Sequence, residues 1–486
     1  VDGKEEGTDL PDGSVLPPDI LADLPPDAGP DLLPDIPPAP AECPDNNSTP
    51  DWVAIPGEGT HFMAQCDDLD LVVSPYGNGI IRLRYAGSAP AFHHSYAVVE
   101  EPPPDVEVQH GESDGWFVIC TAYMRLAIAE GTCRIELSDL DGNPLVVDPP
   151  GTGYFEGSEQ LEGETRDTVA VTRETPPGER FYGFGEKTGP LDKRGLTLTF
   201  WNTDNPNYPS DADPLYQSIP FFIGLKDGLA YGVLTDNSYR MRFDMADSQE
   251  DKYTLTAFGG NMDQYIIAGP AISTIVDRYT YLTGRPAMPP RWTLGYHQCR
   301  WSYFPDTKVM EICQQFRQRG IPADGIWLDI DYMDEYKSWT WDPLDFPVPA
   351  ALVDEVEKLG FKVTAIIDPG LKAEPGWDIY DEGVADGHFL LDTDGEPYVG
   401  VVWPGPSVFP DFTRAETRTW WGGLVTALTD HGVRGIWLDM NEPASFLADN
   451  NWTVPGWVKA YGDGFETTMD EIHNVYALAE NMATYD

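Results

Sequence analysis

The sequence predicts a multidomain fold in which an N-terminal β-sandwich is followed by a parallel α/β unit. From Asp51 to about Pro286 the chain runs in short alternating segments punctuated by Gly, Pro and Asp. After Pro289-Pro290 it changes to near-continuous apolar strands that alternate with helical segments. Strands with one solvated face alternate in polarity, whereas parallel strands covered on both faces do not, so the change of pattern marks a change of architecture. Residues 1–50 follow neither pattern.

That first stretch repeats Leu10-Pro-Asp12, Leu16-Pro-Pro-Asp19, Leu24-Pro-Pro-Asp27 and Leu33-Pro-Asp35, with almost no basic residue. Proline removes backbone donors and the carboxylates repel one another, so residues 1–50 are expected to be an extended, disordered linker. In the sandwich region (51–286), strands are expected at Ile80–Tyr85, Trp116–Cys120, Tyr123–Ile128, Cys133–Leu137, Tyr231–Leu234 and Gln264–Ile267. Asp141-Gly142 is a hairpin turn, because both residues tolerate positive φ. In the last region (287–486), strands at Thr293–His297, Gly325–Ile330, Phe361–Ile367 and Gly435–Asp439 alternate with helices. The helices are expected over about Lys308–Arg319, Ala350–Leu359, Arg414–Asp430 and Thr467–Met482. A doubly wound sheet and a (β/α)8 barrel both fit such a pattern.

Composition narrows the function. The net charge of −51 argues against nucleic acid and anionic membrane surfaces as partners, since both would be repelled. A neutral substrate fits, although acidity of this kind also serves solubility or salt adaptation. The 15 Trp residues suit aromatic-lined pockets of the kind sugars stack on. No apolar run approaches the roughly 20 residues of a membrane span. Six cysteines are too few for a disulfide scaffold and lack zinc spacing. Cys120 and Cys133 flank a hairpin and are expected to pair, as are Cys43 and Cys66; Cys299 and Cys313 are expected to be buried thiols.

Each strand of the last region ends in polar or acidic residues: His297-Gln-Cys-Arg300, Asp329-Ile-Asp331, Asp368 and Asp439-Met-Asn-Glu442. A single carboxylate there is commonly a helix cap. Four successive strand ends, interleaved with Trp301, Trp327, Trp403 and Trp437, point instead to a site, because the C-terminal strand ends of a barrel converge on one face. Carboxylates with aromatic platforms and no His/Cys ligand cluster suit glycoside chemistry. One carboxylate attacks or stabilises an oxocarbenium-like centre while another protonates the leaving oxygen. Asp439 is the candidate nucleophile, with Asn441 and Glu442 beside it to position it and Glu442 itself a rival for the role.

These residues resemble the glycoside hydrolase family 31 α-glucosidases. Gly435-Ile-Trp-Leu-Asp-Met-Asn-Glu-Pro443 is similar to that family's nucleophile signature. The resemblance continues in Leu294-Gly-Tyr-His-Gln-Cys-Arg-Trp-Ser-Tyr303, Asp329-Ile-Asp-Tyr-Met-Asp334, Trp339-Thr-Trp-Asp342, Phe346-Pro347, Trp403-Pro-Gly405 and Phe409-Pro-Asp-Phe412. Trp339 matches by residue class only. Tyr182-Gly-Phe-Gly-Glu186 and Trp201-Asn-Thr-Asp204 resemble elements of the family's β-sandwich. The motifs fall in the family's order over roughly residues 180–485, which makes them more specific together than singly. The resemblance implies a β-sandwich followed by a partial (β/α)8 TIM barrel, and retaining hydrolysis of terminal α-linked glucose from oligosaccharides without metal or organic cofactor.

It also implies residue roles. Asp439 corresponds to the nucleophile, Asp329 to a carboxylate that binds hydroxyls of the terminal sugar, and Ile330 to a wall beside it. Trp301, Ile366, Trp403, Trp437 and Met440 correspond to the apolar lining, with core packing as the competing role for Trp301, Ile366 and Trp437. Asp204 corresponds to a sandwich residue that reaches over to sugar hydroxyls. The family's general acid/base lies on a later strand, beyond Asp486. The chain is therefore expected to be a truncated segment of a longer protein, inactive and poorly folded alone. Rival readings are an α-xylosidase or α-glucosyltransferase of the same family, and a non-catalytic carbohydrate-binding surface protein. The linker and cysteines suggest a secreted or cell-surface protein, a bacterial surface or lipid-anchored enzyme, with a processed N-terminus. Asn47-Ser-Thr49 and Asn451-Trp-Thr453 are glycosylation sequons only in a eukaryotic secretory pathway.

Overall fold

Three antiparallel sheets form the first half of the structure, a computed structural model that describes residues 38–44, 61–66, 69–86, 95–100, 106–151, 153–447, 452–462 and 464–485. A seven-stranded sheet is built from Phe62–Cys66, Leu69–Pro75, Ile80–Ala86, Met262–Ala268, Leu229–Thr235, Phe221–Lys226 and Arg180–Gly183, in that spatial order. Its strands alternate in destination. Ile81, Leu83, Tyr85 and Ile266 face a core shared with two five-stranded sheets, whereas Ile80, Tyr265 and Ile267 face helix Ile272–Thr283. A period of two places successive side chains on opposite faces, so one strand serves two cores. Residues 39–486 form one compact unit. Apart from 38–44, the linker expected over 1–50 lies outside the described residues, as do Asn47 and Asn451 of the sequons.

Disulfides in this region join Cys43 to Cys120 and Cys66 to Cys133, not the pairs expected. Register explains the correction. In the hairpin of Trp116–Cys120 and Met124–Ala129, Cys120 stands opposite Arg125 at one end, while Cys133 follows Ala129, which stands opposite Trp116 at the other. The hairpin's length separates them, and a disulfide requires Cα atoms within roughly 7 Å. The observed pairs have Cα separations of 6.0 and 5.6 Å. Cys313 is buried as expected, but Cys299 is exposed, because it follows the short first strand of the barrel rather than lying in it. The Asp141-Gly142 turn is present, with only Gly142 at positive φ (86°). Asp139 Oδ1 accepts the amides of Asp141 and Asn143.

The second half is a partial (β/α)8 barrel. Strands β1 (His297–Gln298), β2 (Gly325–Leu328), β3 (Lys362–Ile367) and β4 (Gly435–Leu438) are parallel and pair in chain order. Ile326, Leu328, Val363, Ala365 and Ile367 turn outward onto Val309 and Cys313 of helix Asp306–Gln318, Leu352 and Val356 of helix Pro349–Lys358, and Trp421 of helix Ala415–Leu424. Gly422 permits the close approach of helix Tyr476–Tyr485, since a Cβ there would stand 2.9 Å from the Ala483 carbonyl oxygen. Between β3 and β4 the chain makes a small three-stranded antiparallel sheet and helix Asp378–Asp386.

Three expected elements differ. Residues 291–294 form a 3₁₀ turn, not the start of a strand, because Thr293 bonds back to the Pro290 carbonyl through its amide and its hydroxyl. The helix expected over Arg414–Asp430 is interrupted at Val425, just after Gly422-Gly423, a pair that weakens a helix. The single helix expected over Thr467–Met482 is a strand residue pair, a short helix Met469–Ile472, a 3₁₀ turn His473–Val475 and helix Tyr476–Tyr485. Contacts made by His473 and Asn474 to the sandwich hold that break, as described next.

Candidate active site

Parallel register determines which side chains share the inner face of the barrel. Ile366 pairs with Trp437 and Trp327 with Thr364, so these residues point the same way, opposite to the outward-facing core residues. Two residues further along each strand, the same face carries Asp329, Asp368 and Asp439. The Asp439 amide still donates to the Ile367 carbonyl at 3.2 Å, so the carboxylate leaves directly from the end of β4. Met440 then turns the chain at φ 58°, a left-handed conformation that is uncommon for a bulky residue and is found at functional sites. Met440 is buried, and its carbonyl accepts the Ala444 amide at 2.9 Å.

Burial and like charge dominate the electrostatics. Asp439 is half-buried; desolvation raises its pKa, the Met440 amide lowers it, and Asp204 raises it further. Desolvation also raises Asp329, against the Ile330 amide that donates to its Oδ1 at 2.8 Å, with Asp439 and Asp331 adding to the rise. Asp368 is held well above the usual carboxylate range by full burial, then by Asp439, Glu480, Asp329 and Glu442. Glu442, only 6 % exposed, is pushed up to about 8 by burial, with Asp204, Asp439 and Glu186 adding to it. Glu480 is likewise pushed up to about 8, by burial first, opposed by the Asn441 side chain. Near neutral pH Glu442 and Glu480 therefore hold protons. A protonated Glu442 is a poor nucleophile.

Asp204 arrives from the sandwich, and the barrel holds the segment that carries it. Trp201 stacks on His473 with ring centroids 3.8 Å apart and planes 7° from parallel. The Asn202 carbonyl meets His473 Nε2 at 2.7 Å, and the Asn202 amide donates to Asn474 Oδ1 at 2.9 Å. Burial lowers the His473 pKa to about 4, so the imidazole is neutral at pH 7. Tyr216 hydrogen-bonds the Asp204 carboxylate, which burial otherwise raises. The clamp lies immediately before Asp204 in sequence and restricts where that carboxylate can reach.

The aromatic candidates divide. Trp301 is 64 % exposed, donates from Nε1 to Asp331 Oδ2 at 3.1 Å, and lies 5.8 Å from Trp403, forming an open rim. Trp403 also meets Phe446 edge-on at 5.1 Å. Trp437 is half-buried against Trp327, whose Nε1 bonds His297 Nδ1 at 3.0 Å. Ile330 and Ile366 are almost wholly buried, and both pack into the barrel core. The Ile366 carbonyl accepts the Tyr332 hydroxyl at 2.8 Å.

Glu480 is the group that sequence reasoning missed. It lies on helix Tyr476–Tyr485, fully buried, and accepts from Asn441 Nδ2 at 2.7 Å. Asn441 therefore acts toward Glu480; no bond from its side chain to Asp439 is seen. A glutamate in a helical segment is ordinarily a solvated residue, so nothing local distinguished it. Among the described residues, no group of three or more His, Cys, Asp and Glu side chains has a geometry that could hold a metal ion.

Two family models match the chain. Residues 286–486 match the glycosyl hydrolases family 31 TIM-barrel domain, and residues 70–244 match the glycosyl hydrolase 31 N-terminal galactose mutarotase-like domain. Alpha-glucosidase 2 of Bacillus thermoamyloliquefaciens is 38% identical over 427 residues, 87% of this chain and 53% of that protein. An alpha-glucosidase of Saccharolobus solfataricus is 37% identical over 335 residues, 65% of this chain and 48% of that protein. The solved structure of a family 31 dextranase from Flavobacterium johnsoniae, complexed with glucose, superposes with a TM-score of 0.79 at 27% identity, covering 91% of this chain and 52% of that one. The chain spans about half the length of the curated relatives it matches.

Proposed function

The chain belongs to glycosyl hydrolase family 31, and from that premise we propose that the protein hydrolyses terminal α-linked glucose with retention, using Asp439 as nucleophile. The observation that carries this reading is the half-buried Asp439 at the end of β4, on the same inner face as Asp329 and Asp368 and within electrostatic reach of Asp204. In the first step an Asp439 carboxylate oxygen bonds to C1, the C1–oxygen glycosidic bond breaks, and the leaving oxygen takes a proton from a carboxylic acid. In the second, water attacks C1, its proton passes to the resulting carboxylate, and Asp439 is released.

The surrounding carboxyls serve this chemistry. Positive charge develops on the sugar ring in the transition state, and an anionic, partly desolvated pocket stabilises it more than it stabilises the neutral substrate. Hydroxyls of the bound sugar donating to Asp329 and Asp204 replace lost water and draw both carboxylates back toward the ionised form. Glu442, protonated near neutral pH, adds no competing anion beside Asp439. Asn441 and Glu442 thus support the nucleophile rather than share its role. Trp301 and Trp403 offer the sugar an aromatic rim.

A fluorinated α-glucosyl fluoride tests this without depending on the acid, because fluoride leaves without protonation. The expected result is a single glucosyl adduct located on Asp439 by peptide mass mapping, absent in Asp439→Ala. An adduct on Glu442, or none on either residue, would overturn the proposal. Comparing aryl α-glucoside with aryl α-xyloside then tests the sugar; preference for the xyloside would replace the glucosidase reading. We place the protein outside the cytoplasm, a reading supported by its two disulfides, which suit an oxidising compartment. Recovery of native protein with all six cysteines reduced in the cytosolic fraction would contradict that placement.

A further inference from the structure

A cleft of about 460 Å³ opens along the seam between sandwich and barrel, and none of the carboxyls of the candidate active site lines it. Its volume falls within the roughly 300–1,000 Å³ of small-ligand sites. From the barrel side comes Trp457, 49 % exposed, its ring met edge-on by the buried Tyr398 at 5.7 Å. From the sandwich side come Phe258 and Trp201. The cleft thus has an accessible indole supported by a buried ring, with further aromatic carbon from the other domain.

The charges around these rings are already paired. Arg166 contacts Glu164 at 2.9 Å and also Asp470 of the barrel, and Arg240 contacts Glu162 at 2.8 Å. Arg240 also lies over the Trp201 ring, 5.8 Å from its centroid. Two guanidiniums face three carboxylates, so the lining has no surplus positive charge and does not attract a phosphate or an acidic peptide. Each guanidinium nevertheless carries five N–H donors and each carboxylate several lone pairs, which leaves donors and acceptors free for additional bonds. Alternating donors and acceptors around an exposed aromatic face suit a neutral polyhydroxylated ligand. The ring hydroxyls of a pyranose meet the polar edge, and its C–H face packs on the negative π face of the indole.

We propose that this cleft binds a segment of neutral α-glucan, holding the polymer while a chain end occupies the pocket at Asp439. The choice of α-glucan rests on the proposed function; the choice of a neutral carbohydrate rests on the cleft itself. Leu447, Thr453 and Trp457 of the cleft follow Asp439 within 18 residues of sequence.

Native gel electrophoresis in gels containing soluble dextran or amylopectin tests the proposal, with Asp439 labelling by the glucosyl fluoride as the readout of the other site. The wild-type protein is expected to be retarded by at least one of the two glucans. Trp457→Ala, and separately Phe258→Ala, are expected to weaken retardation about fivefold or more while labelling of Asp439 proceeds at the wild-type rate. A monosaccharide fluoride does not extend into the cleft, so normal labelling also shows that the variants fold. Retardation unchanged in both variants, or an unretarded wild-type protein that labels normally, would overturn the cleft proposal alone. Retardation that depends on Trp457 in a protein that never labels would keep the cleft and refute the catalytic reading.

Discussion

Replacing Glu480 tests how Asp439, the proposed nucleophile, is held. Its Oε2 accepts from Asn441 Nδ2 at 2.7 Å, while Oε1 makes no hydrogen bond. Asn441 lies two residues after Asp439, and Met440 between them is in the left-handed conformation, so this bond ties a strained turn to a rigid helix. Glu480→Leu removes the acceptor and leaves the half-buried Asn441 amide donor unpaired, a loss of at most about 1–3 kcal/mol that relaxation of the turn can relieve. A misplacement of the reacting group by about 1 Å costs on the order of 10²-fold in rate. Labelling of Asp439 is therefore expected to slow by about 10–100-fold in Glu480→Leu. Glu480→Gln keeps an acceptor for Asn441 and is expected to stay within about threefold of wild type, the scale of about 0.6 kcal/mol.

The same pair of variants has a pH signature. Burial pushes Glu480 from an ordinary 4.5 up to about 8, with Asn441 opposing and Glu442 and Asp439 adding to the rise. A carboxyl raised on folding holds a proton that the unfolded chain releases, so its contribution to stability is present below about 4.5 and is lost as pH rises to about 8. Between those limits one such group makes stability fall by up to about 1.4 kcal/mol per pH unit. Glu480→Gln is expected to flatten that slope in urea-unfolding measurements across the window, and coupling to Glu442 limits the size of the change. A Leu variant that labels at the wild-type rate, or a Gln variant as slow as Leu, would refute the positioning argument. An unchanged pH slope in Glu480→Gln would refute the protonated state.

Other outcomes are set by different parts of the fold. Arg173 and Asp148 form an ion pair with side chains 1 % and 0 % exposed, so Asp148→Ala should cost about 3–5 kcal/mol in urea unfolding, and Asp148→Leu with Arg173→Met should recover most of it. Equal losses in the single and double variants would contradict that reasoning. Peptide mapping under non-reducing conditions should recover Cys43 with Cys120 and Cys66 with Cys133, and Cys66→Ser should cost about 2–4 kcal/mol. Trp301→Ala removes an exposed ring, so its melting point should hold within the effect of about 0.5 kcal/mol. Its KM for an aryl α-glucoside should rise about 3–10-fold, the scale of about 1 kcal/mol of lost binding. An unchanged KM would remove Trp301 from the sugar rim.

Local chemistry was legible in the sequence. The inner-face pairs Trp327 with Asp329 and Trp437 with Asp439 follow from strand period alone, and so does the gathering of acidic residues at successive strand ends. Helices Asp306–Gln318 and Pro349–Lys358 lay within two residues of their expected bounds, because their apolar spacing is written in consecutive turns. Tertiary structure decided what depends on distant partners. Cysteine pairing follows from hairpin register, and the break at His473 follows from a bond to Asn202, 271 residues away in sequence. Glu480 became a site residue because its helix packs behind the Met440 turn, and burial then changed its charge. Ile330 and Ile366 became buried while Trp301, three residues beyond β1, stayed open. Sequence specifies which groups a strand or helix can present. Their burial and ionisation depend on the dielectric and the neighbours that only the assembled fold supplies.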